Sequence, residues 1–143
     1  MDAGHRRGGL RLRVADHRTG GCGRGLLREY VLEHRLQAHD LHYAFASYWV
    51  AWRITFESQL HVTGAKSSYA HPFSRAGRVY PGDPDDDLGI DPRYSREAVQ
   101  HRDAAHVFVL GGEVEPRVAP LLRRTGYTRV VSGGFAVWLP RGA

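Results

Sequence analysis

Hydrophobic positions along the chain change period several times, and each change marks an expected element. From His42 to Glu57 the run His-Tyr-Ala-Phe-Ala-Ser-Tyr-Trp-Val-Ala-Trp-Arg-Ile-Thr-Phe-Glu is strand-like as far as Ala46 and helical beyond Ser47. Tyr48, Trp52 and Phe56 fall four residues apart, which puts three rings on one helical face. A buried ring contributes about 2 kcal/mol or more, and a short chain needs such area, so this aromatic stripe is the expected core contact of the helix. Trp49 and Arg53, on its flank, are the expected exposed pair.

The same reading extends to the rest of the chain. Leu27, Tyr30, Val31 and Leu36 describe an apolar stripe on a helix over 26–39, with Arg28, Glu29, Glu33, His34 and Arg35 on its wet side. A strand over 43–46 leads into the aromatic helix over 48–57, and a second strand follows near 60–63. Residues 66–92 carry Pro72, Gly77, Pro81, Gly82 and Pro84 without periodicity and predict a long irregular loop. A short helix is expected at 95–101 and a compact apolar strand at 106–110, bounded by Gly111 and Gly112. Val114, Val118, Leu121 and Leu122 then mark a helix stopped by Gly126. Residues 127–131 and 135–139 read as strands joined through Ser132, Gly133 and Gly134, a hairpin signal. Helices alternating with strands predict an α/β fold: a small single-domain sandwich with a short, partly parallel sheet closed by a C-terminal antiparallel hairpin.

Composition modifies this picture at a few points. With 143 residues and 42% hydrophobic content, one core is expected. Residues 1–25, rich in Gly and Arg, predict a poorly ordered leader ahead of an α/β domain over 26–143. Of 20 basic residues 19 are arginine and Lys66 is the single lysine, a sign of GC-rich coding; the arginines are dispersed, not striped. A net charge of +5 therefore bears on association more than on nucleic-acid recognition, and no nucleic-acid partner is expected. Cys22 has no intrachain partner, which excludes an internal disulfide and a cysteine zinc site. No stretch reaches the roughly 20 apolar residues that cross a bilayer, so the chain reads as soluble as it stands.

Three patterns invite a chemical reading. The acidic run Asp83, Asp85, Asp86, Asp87 and Asp91 has Leu88 and Tyr94 where a calcium loop needs its sixth-position glycine and twelfth-position glutamate, so it reads as a solvated loop. The histidine groups His34, His39 and His42, and His101 with Asp103 and His106, lack the i, i+4 spacing that presents two imidazoles together, and no metal site is assigned. Arg18-Thr-Gly-Gly21-Cys-Gly23 resembles the Arg-x-x-Gly-x-Gly pyrophosphate loop of the acetyl-CoA-dependent N-acetyltransferases, with Arg18, Gly21 and Gly23 as the cofactor-binding residues that the resemblance implies. The competing reading is a flexible glycine-rich leader with no cofactor.

A broader resemblance covers residues from about Leu26 to Pro140. The helix with its following Tyr-Ala-x-Ala strand, the segment Ala46 to Ser58, the stretch from Tyr94 to Val109 and the closing hairpin from Tyr127 to Trp138 are similar, in order, to the C-terminal extracytoplasmic domain of some actinobacterial GT-C membrane proteins. These are lipid-linked-sugar glycosyltransferases related to protein mannosyltransferases. The family pattern has Asp-Tyr-Trp where this chain has Ser47-Tyr48-Trp49; serine also serves as an N-cap, so the local fold is expected to survive while any carboxylate role is lost. The family's catalytic acids lie beside transmembrane helices, so the resemblance implies a non-catalytic accessory or binding domain. Its partners would be the membrane portion of a parent glycosyltransferase or a glycan. Trp49 and Arg53 are the carbohydrate-contact candidates, and the expected location is the extracytoplasmic face. The alternative is an acetyl-CoA-dependent acyltransferase.

Overall fold

Two neighbouring apolar runs, Ala105–Val109 and Phe135–Leu139, are long enough for strands and apolar at nearly every position, the signature of strands covered on both faces. The computed structural model describes residues 23–59, 61–82, 92–101 and 104–143, and in it these runs lie inside a five-stranded sheet. The elements in chain order are α1 (Gly23–Ala38), β1 (Tyr43–Ala46), α2 (Tyr48–Glu57), β2 (Thr63–Lys66), β3 (Phe73–Arg75), β4 (Arg78–Tyr80), α3 (Pro92–Gln100), β5 (Ala105–Val109), α4 (Val114–Arg124), β6 (Thr128–Ser132) and β7 (Phe135–Leu139).

The sheet order is β2-β1-β5-β7-β6. Strands β2, β1 and β5 are mutually parallel, while β7 runs antiparallel to both β5 and β6. This is the expected α/β sandwich, parallel at first and closed by a hairpin. Alternation along each strand divides the core in two. Ala44, Ala105, Val107, Phe135 and Val137 face Leu32 and Leu36 of α1 and Val50, Ala51 and Ile54 of α2. Phe45, Phe108, Ala136 and Trp138 face Ala98 of α3 and Val118, Ala119 and Leu122 of α4.

Several boundaries shift. Helix α1 opens at Gly23, inside the stretch expected to be a leader, and its buried positions are Leu32 and Leu36, whereas Tyr30 and Val31 are exposed. Strand β2 starts three residues later than expected. The stretch read as an irregular loop contains a second, two-stranded antiparallel sheet, β3 paired with β4. The β6–β7 turn is tighter than expected: Gly133 and Gly134 alone form the loop, both at positive φ, as a primed two-residue hairpin turn requires.

The largest correction concerns α2. Its aromatic stripe is not core: Trp52 is 43% and Phe56 51% exposed, and Tyr48 is only half-buried. The inner face is made of Val50, Ala51, Ile54, Thr55 and Ser58 instead. The reason is proximity. A Cβ placed on Gly64 of β2 would come within 2.3 Å of the Ala51 carbonyl oxygen, so only small side chains fit between this helix and its strand. The Thr55 hydroxyl accepts a hydrogen bond from the Gly64 amide at 2.8 Å, and the Ser58 hydroxyl accepts one from the Val62 amide at 3.0 Å. These bonds fasten the helix to the strand, and the bulky rings take the opposite side.

Candidate functional site

Chain connectivity creates a crevice at one end of the sheet. From β1 the chain crosses through α2 to β2 on one side, and from β2 it returns through α3, on the other face, to β5 on the far side of β1. The crossovers diverge at the carboxyl ends of β1 and β5, and in open α/β sheets such a switch point is where ligands bind. A cleft of about 120 Å³ lies there, bordered by Ser47, Ser67, Tyr69, Phe108, Gly112 and Glu115.

Each of these side chains is placed by an element end. Ser47 follows β1 at the N-cap of α2 with extended backbone (φ −61°, ψ 157°), but its hydroxyl makes no capping bond, which corrects the expectation that serine caps this helix. Ser67 follows β2, and its amide donates to the Ala46 carbonyl at 2.8 Å. The residue is 8% exposed, and its hydroxyl, which makes no well-formed hydrogen bond, neighbours the Tyr69 hydroxyl.

Behind the cleft lies a buried polar group. The Tyr69 hydroxyl is 2.6 Å from His106 Nδ1, and the imidazole is packed by Phe45 at 5.3 Å and Tyr127 at 5.2 Å between ring centroids. Burial disfavours the imidazolium and lowers the His106 pKa to about 3; the nearby Val79 backbone opposes this only partly, and Nε2 has no formed hydrogen bond. Burial likewise pushes Tyr127 up to about 12 and Tyr69 well above the usual phenol value, against a small lowering influence from the neighbouring Ser67 hydroxyl. At neutral pH all three rings are uncharged. His106 is fully enclosed, so this pair holds the layer together and offers no base to a solute in the cleft.

Glu115 on the first turn of α4 is also committed. Arg129 of β6 grips it through two hydrogen bonds, Nε to Oε1 at 2.6 Å and a second nitrogen to Oε2 at 3.2 Å, and Trp138 Nε1 donates to Oε1 at 3.0 Å. The Arg129 bonds, then Trp138, hold its pKa below the ordinary carboxylate value despite burial.

The outer face of α2 forms a second surface. Trp49 is 72% exposed, and Trp49, Trp52, Arg53 and Phe56 recur at helical spacing along one side. Trp52 lies 4.8 Å from Phe56 between centroids, and Tyr48 meets Trp49 edge-on at 4.9 Å. Arg53 is less exposed than expected, because its Nε donates to Glu57 Oε1 at 2.9 Å one turn along.

Of the acetyl-CoA residues, Arg18 and Gly21 lie outside the described residues, while Gly23 is the first residue of α1. The acidic run from Asp83 to Asp91, and Asp103, also lie outside them. His42 contacts Asp40 at 3.3 Å, His101 stacks on Tyr43 at 3.7 Å, and His106 is enclosed elsewhere. Among the described residues no three His, Cys, Asp or Glu side chains converge on one point. No described helix is long and apolar enough to cross a membrane.

Sequence reading did not single out Ser67, Tyr69 or Glu115. Ser67 and Tyr69 sit in the stretch taken as irregular loop, and the one available signal for Glu115 was its place among Val114, Val118 and Leu122 on a helix face. No protein-family model, curated protein or solved structure matches the chain.

Proposed function

We propose that the domain is a non-catalytic binding module of the kind carried by GT-C-like lipid-linked-sugar glycosyltransferases, and that it contacts carbohydrate through the outer face of α2. The observation that carries this reading is the exposed row Trp49, Trp52 and Phe56, on a helix whose core contacts are made by other residues. Aromatic area left in water costs free energy unless something covers it, and flat rings suit the apolar C–H faces of sugars. Arg53, tethered by Glu57, lies beside the rings as a further contact for a sugar. The similarity of Ala46 to Ser58 to the GT-C extracytoplasmic domains points to the membrane portion of such an enzyme as partner, with the domain at the outer membrane face.

The test is a titration of the full chain with manno- and gluco-oligosaccharides, followed by tryptophan fluorescence and calorimetry. Saturable binding is expected, weakened tenfold or more by Trp49→Ala and by Trp52→Ala, with the melting temperature unchanged in both. Unaltered affinity in the double variant would overturn the assignment.

A further inference from the structure

We propose that the cleft at the carboxyl ends of β1 and β5 binds a small neutral phenol, its ring on the apolar wall and its hydroxyl donating a hydrogen bond to Ser67. The site is separate from the aromatic face of α2, and the inference does not rest on the carbohydrate reading.

Size and charge narrow the occupant first. Val107, Phe108 and Val109 of β5 and Val114 of α4 give the cleft an apolar wall. Its volume of about 120 Å³ is close to that of the apolar protein cavity, about 150 Å³, that takes up benzene. One ring with one small substituent is the size that fits. Among the described residues no Lys, Arg or His side chain borders the cleft, and the carboxylate that does, Glu115, is held by Arg129 and Trp138. An anion would face that carboxylate with no cation beside it, and an ammonium would compete with Arg129. The occupant is therefore neutral.

The direction of one chain of hydroxyls then decides what a neutral ligand must carry. The Ser67 hydroxyl, at the cleft, neighbours the Tyr69 hydroxyl, which lies 2.6 Å from His106 Nδ1. Because the buried imidazole is neutral, one ring nitrogen carries a proton and the other a lone pair. With the proton on Nδ1 the chain runs outward: Nδ1 donates to Tyr69, Tyr69 donates to Ser67, and the Ser67 proton points into the cleft. With the proton on Nε2 it runs inward: Ser67 directs its proton to Tyr69, Tyr69 donates to Nδ1, and Ser67 offers lone pairs to the cleft. Val79 selects the second arrangement. Its backbone favours the protonated imidazole, as a carbonyl acceptor does, and with Nδ1 taken by Tyr69 this carbonyl falls to Nε2. A proton on Nε2 meets an acceptor there, whereas a lone pair would meet another lone pair. The influence of Ser67 on Tyr69 has the same sense, since a hydroxyl directed at the phenol oxygen favours the phenolate. Ser67 is more than nine-tenths buried and makes no well-formed hydrogen bond, so its lone pairs are left for a ligand. They select one that donates: a phenol, not a nitrile or an ether.

The experiment is an amide-shift NMR titration of the full chain with phenol, toluene, benzonitrile and benzoate, single rings that offer respectively a donor, no polar group, an acceptor and a negative charge. Phenol is expected to saturate, to move the amides of Ser67, Val109 and Gly112, and to bind at least tenfold more tightly than the other three. Ser67→Ala should bring phenol down to the affinity of toluene. Tyr69→Phe removes the oxygen to which Ser67 directs its proton, frees Ser67 to donate to a ligand, and should narrow the gap between phenol and benzonitrile to about threefold or less; lost packing alone would weaken both equally. Should either variant fail to fold, the ranking of the four rings on the unaltered chain decides. Toluene or benzonitrile matching phenol, benzoate binding more tightly than phenol, shifts confined to Trp49, Trp52 and Phe56, lack of saturation, undiminished phenol affinity in Ser67→Ala, or an unnarrowed gap in Tyr69→Phe would each overturn the proposal. Trp49→Ala and Trp52→Ala should leave phenol binding intact, so a failure of glycan binding and a failure here are told apart.

Discussion

The two faces of the sheet are built on different principles. On the α1/α2 side the core is aliphatic except for Phe135, and is filled by Leu32, Leu36, Ile54, Val62, Val107 and Val137. Its polar intruders, Thr55 and Ser58, are both bonded to the backbone of the strand they touch or its lead-in. On the α3/α4 side the core is aromatic and partly polar, with Phe45, Tyr69, Phe108, Tyr127 and Trp138 surrounding a buried histidine. Both buried polar side-chain atoms without a well-formed hydrogen bond among the described residues, Ser67 Oγ and His106 Nε2, lie on this second side. An aliphatic layer is constrained by volume alone, whereas a polar aromatic layer is constrained by protons as well, and the cleft opens on the latter.

The strongest challenge to this contrast is Gly64→Val. Any Cβ there meets the Ala51 carbonyl at 2.3 Å, and backbone cannot yield as a side chain tip does. A loss of about 3 kcal/mol or more is expected, read as a large fall in the urea midpoint followed by circular dichroism. A variant that melts like the parent would show that α2 is less closely seated than described.

The next largest effect is pH dependence, which belongs to the polar side. His106 titrates near 6.5 when unfolded and near 3 when folded, so between these values the unfolded chain holds the extra proton. Stability is complete above about pH 6.5 and falls as the pH drops, with the folding equilibrium shifting up to tenfold per unit. The lowered pKa of Glu115 adds to the loss only below its unfolded value of 4.5. At the other extreme Tyr127, raised from 10.0 to about 12, and Tyr69 favour the neutral ring in the fold, so stability declines again above pH 10. Urea midpoints measured from pH 3 to 11 should show this plateau, and His106→Phe should flatten the slope between pH 6.5 and 4.5. An unchanged slope would sink the attribution to histidine.

A smaller effect is expected from Tyr69→Phe. It removes the 2.6 Å partner of His106 Nδ1 while keeping the ring, at a cost of about 1–3 kcal/mol by chemical denaturation. A neutral outcome would mean that the second layer is held by ring packing alone, which would erase much of the distinction drawn above.

Most of the architecture could be read from periodicity because its signals are local. The strand-to-helix junction at Ser47, the Gly126 stop after α4 and the Gly133-Gly134 turn each depend on a few adjacent residues. Helix α2 was misread because residue size was taken as a guide to burial. The informative pattern was the row of small residues Ala51, Thr55 and Ser58, which gains meaning only beside a glycine in the strand it meets. The β3–β4 hairpin was missed because Phe73, Ser74 and Arg75 are all exposed and show no alternation. Of the cleft, Ser47 was legible as a boundary; Ser67, Tyr69 and Glu115 were not, because strand order, not sequence spacing, brings them together.

The tip of the last hairpin has its own implication. Gly133 sits so close to α1 that a Cβ would come within 2.3 Å of the Arg28 carbonyl oxygen, and the Ser132 hydroxyl donates to the Val31 carbonyl at 3.3 Å. Helix α1 is thus clasped by strands that follow it by about a hundred residues, and β7 lies inside the sheet between β5 and β6. Nascent chain must wait, with α1 undocked, until synthesis has delivered the clasp.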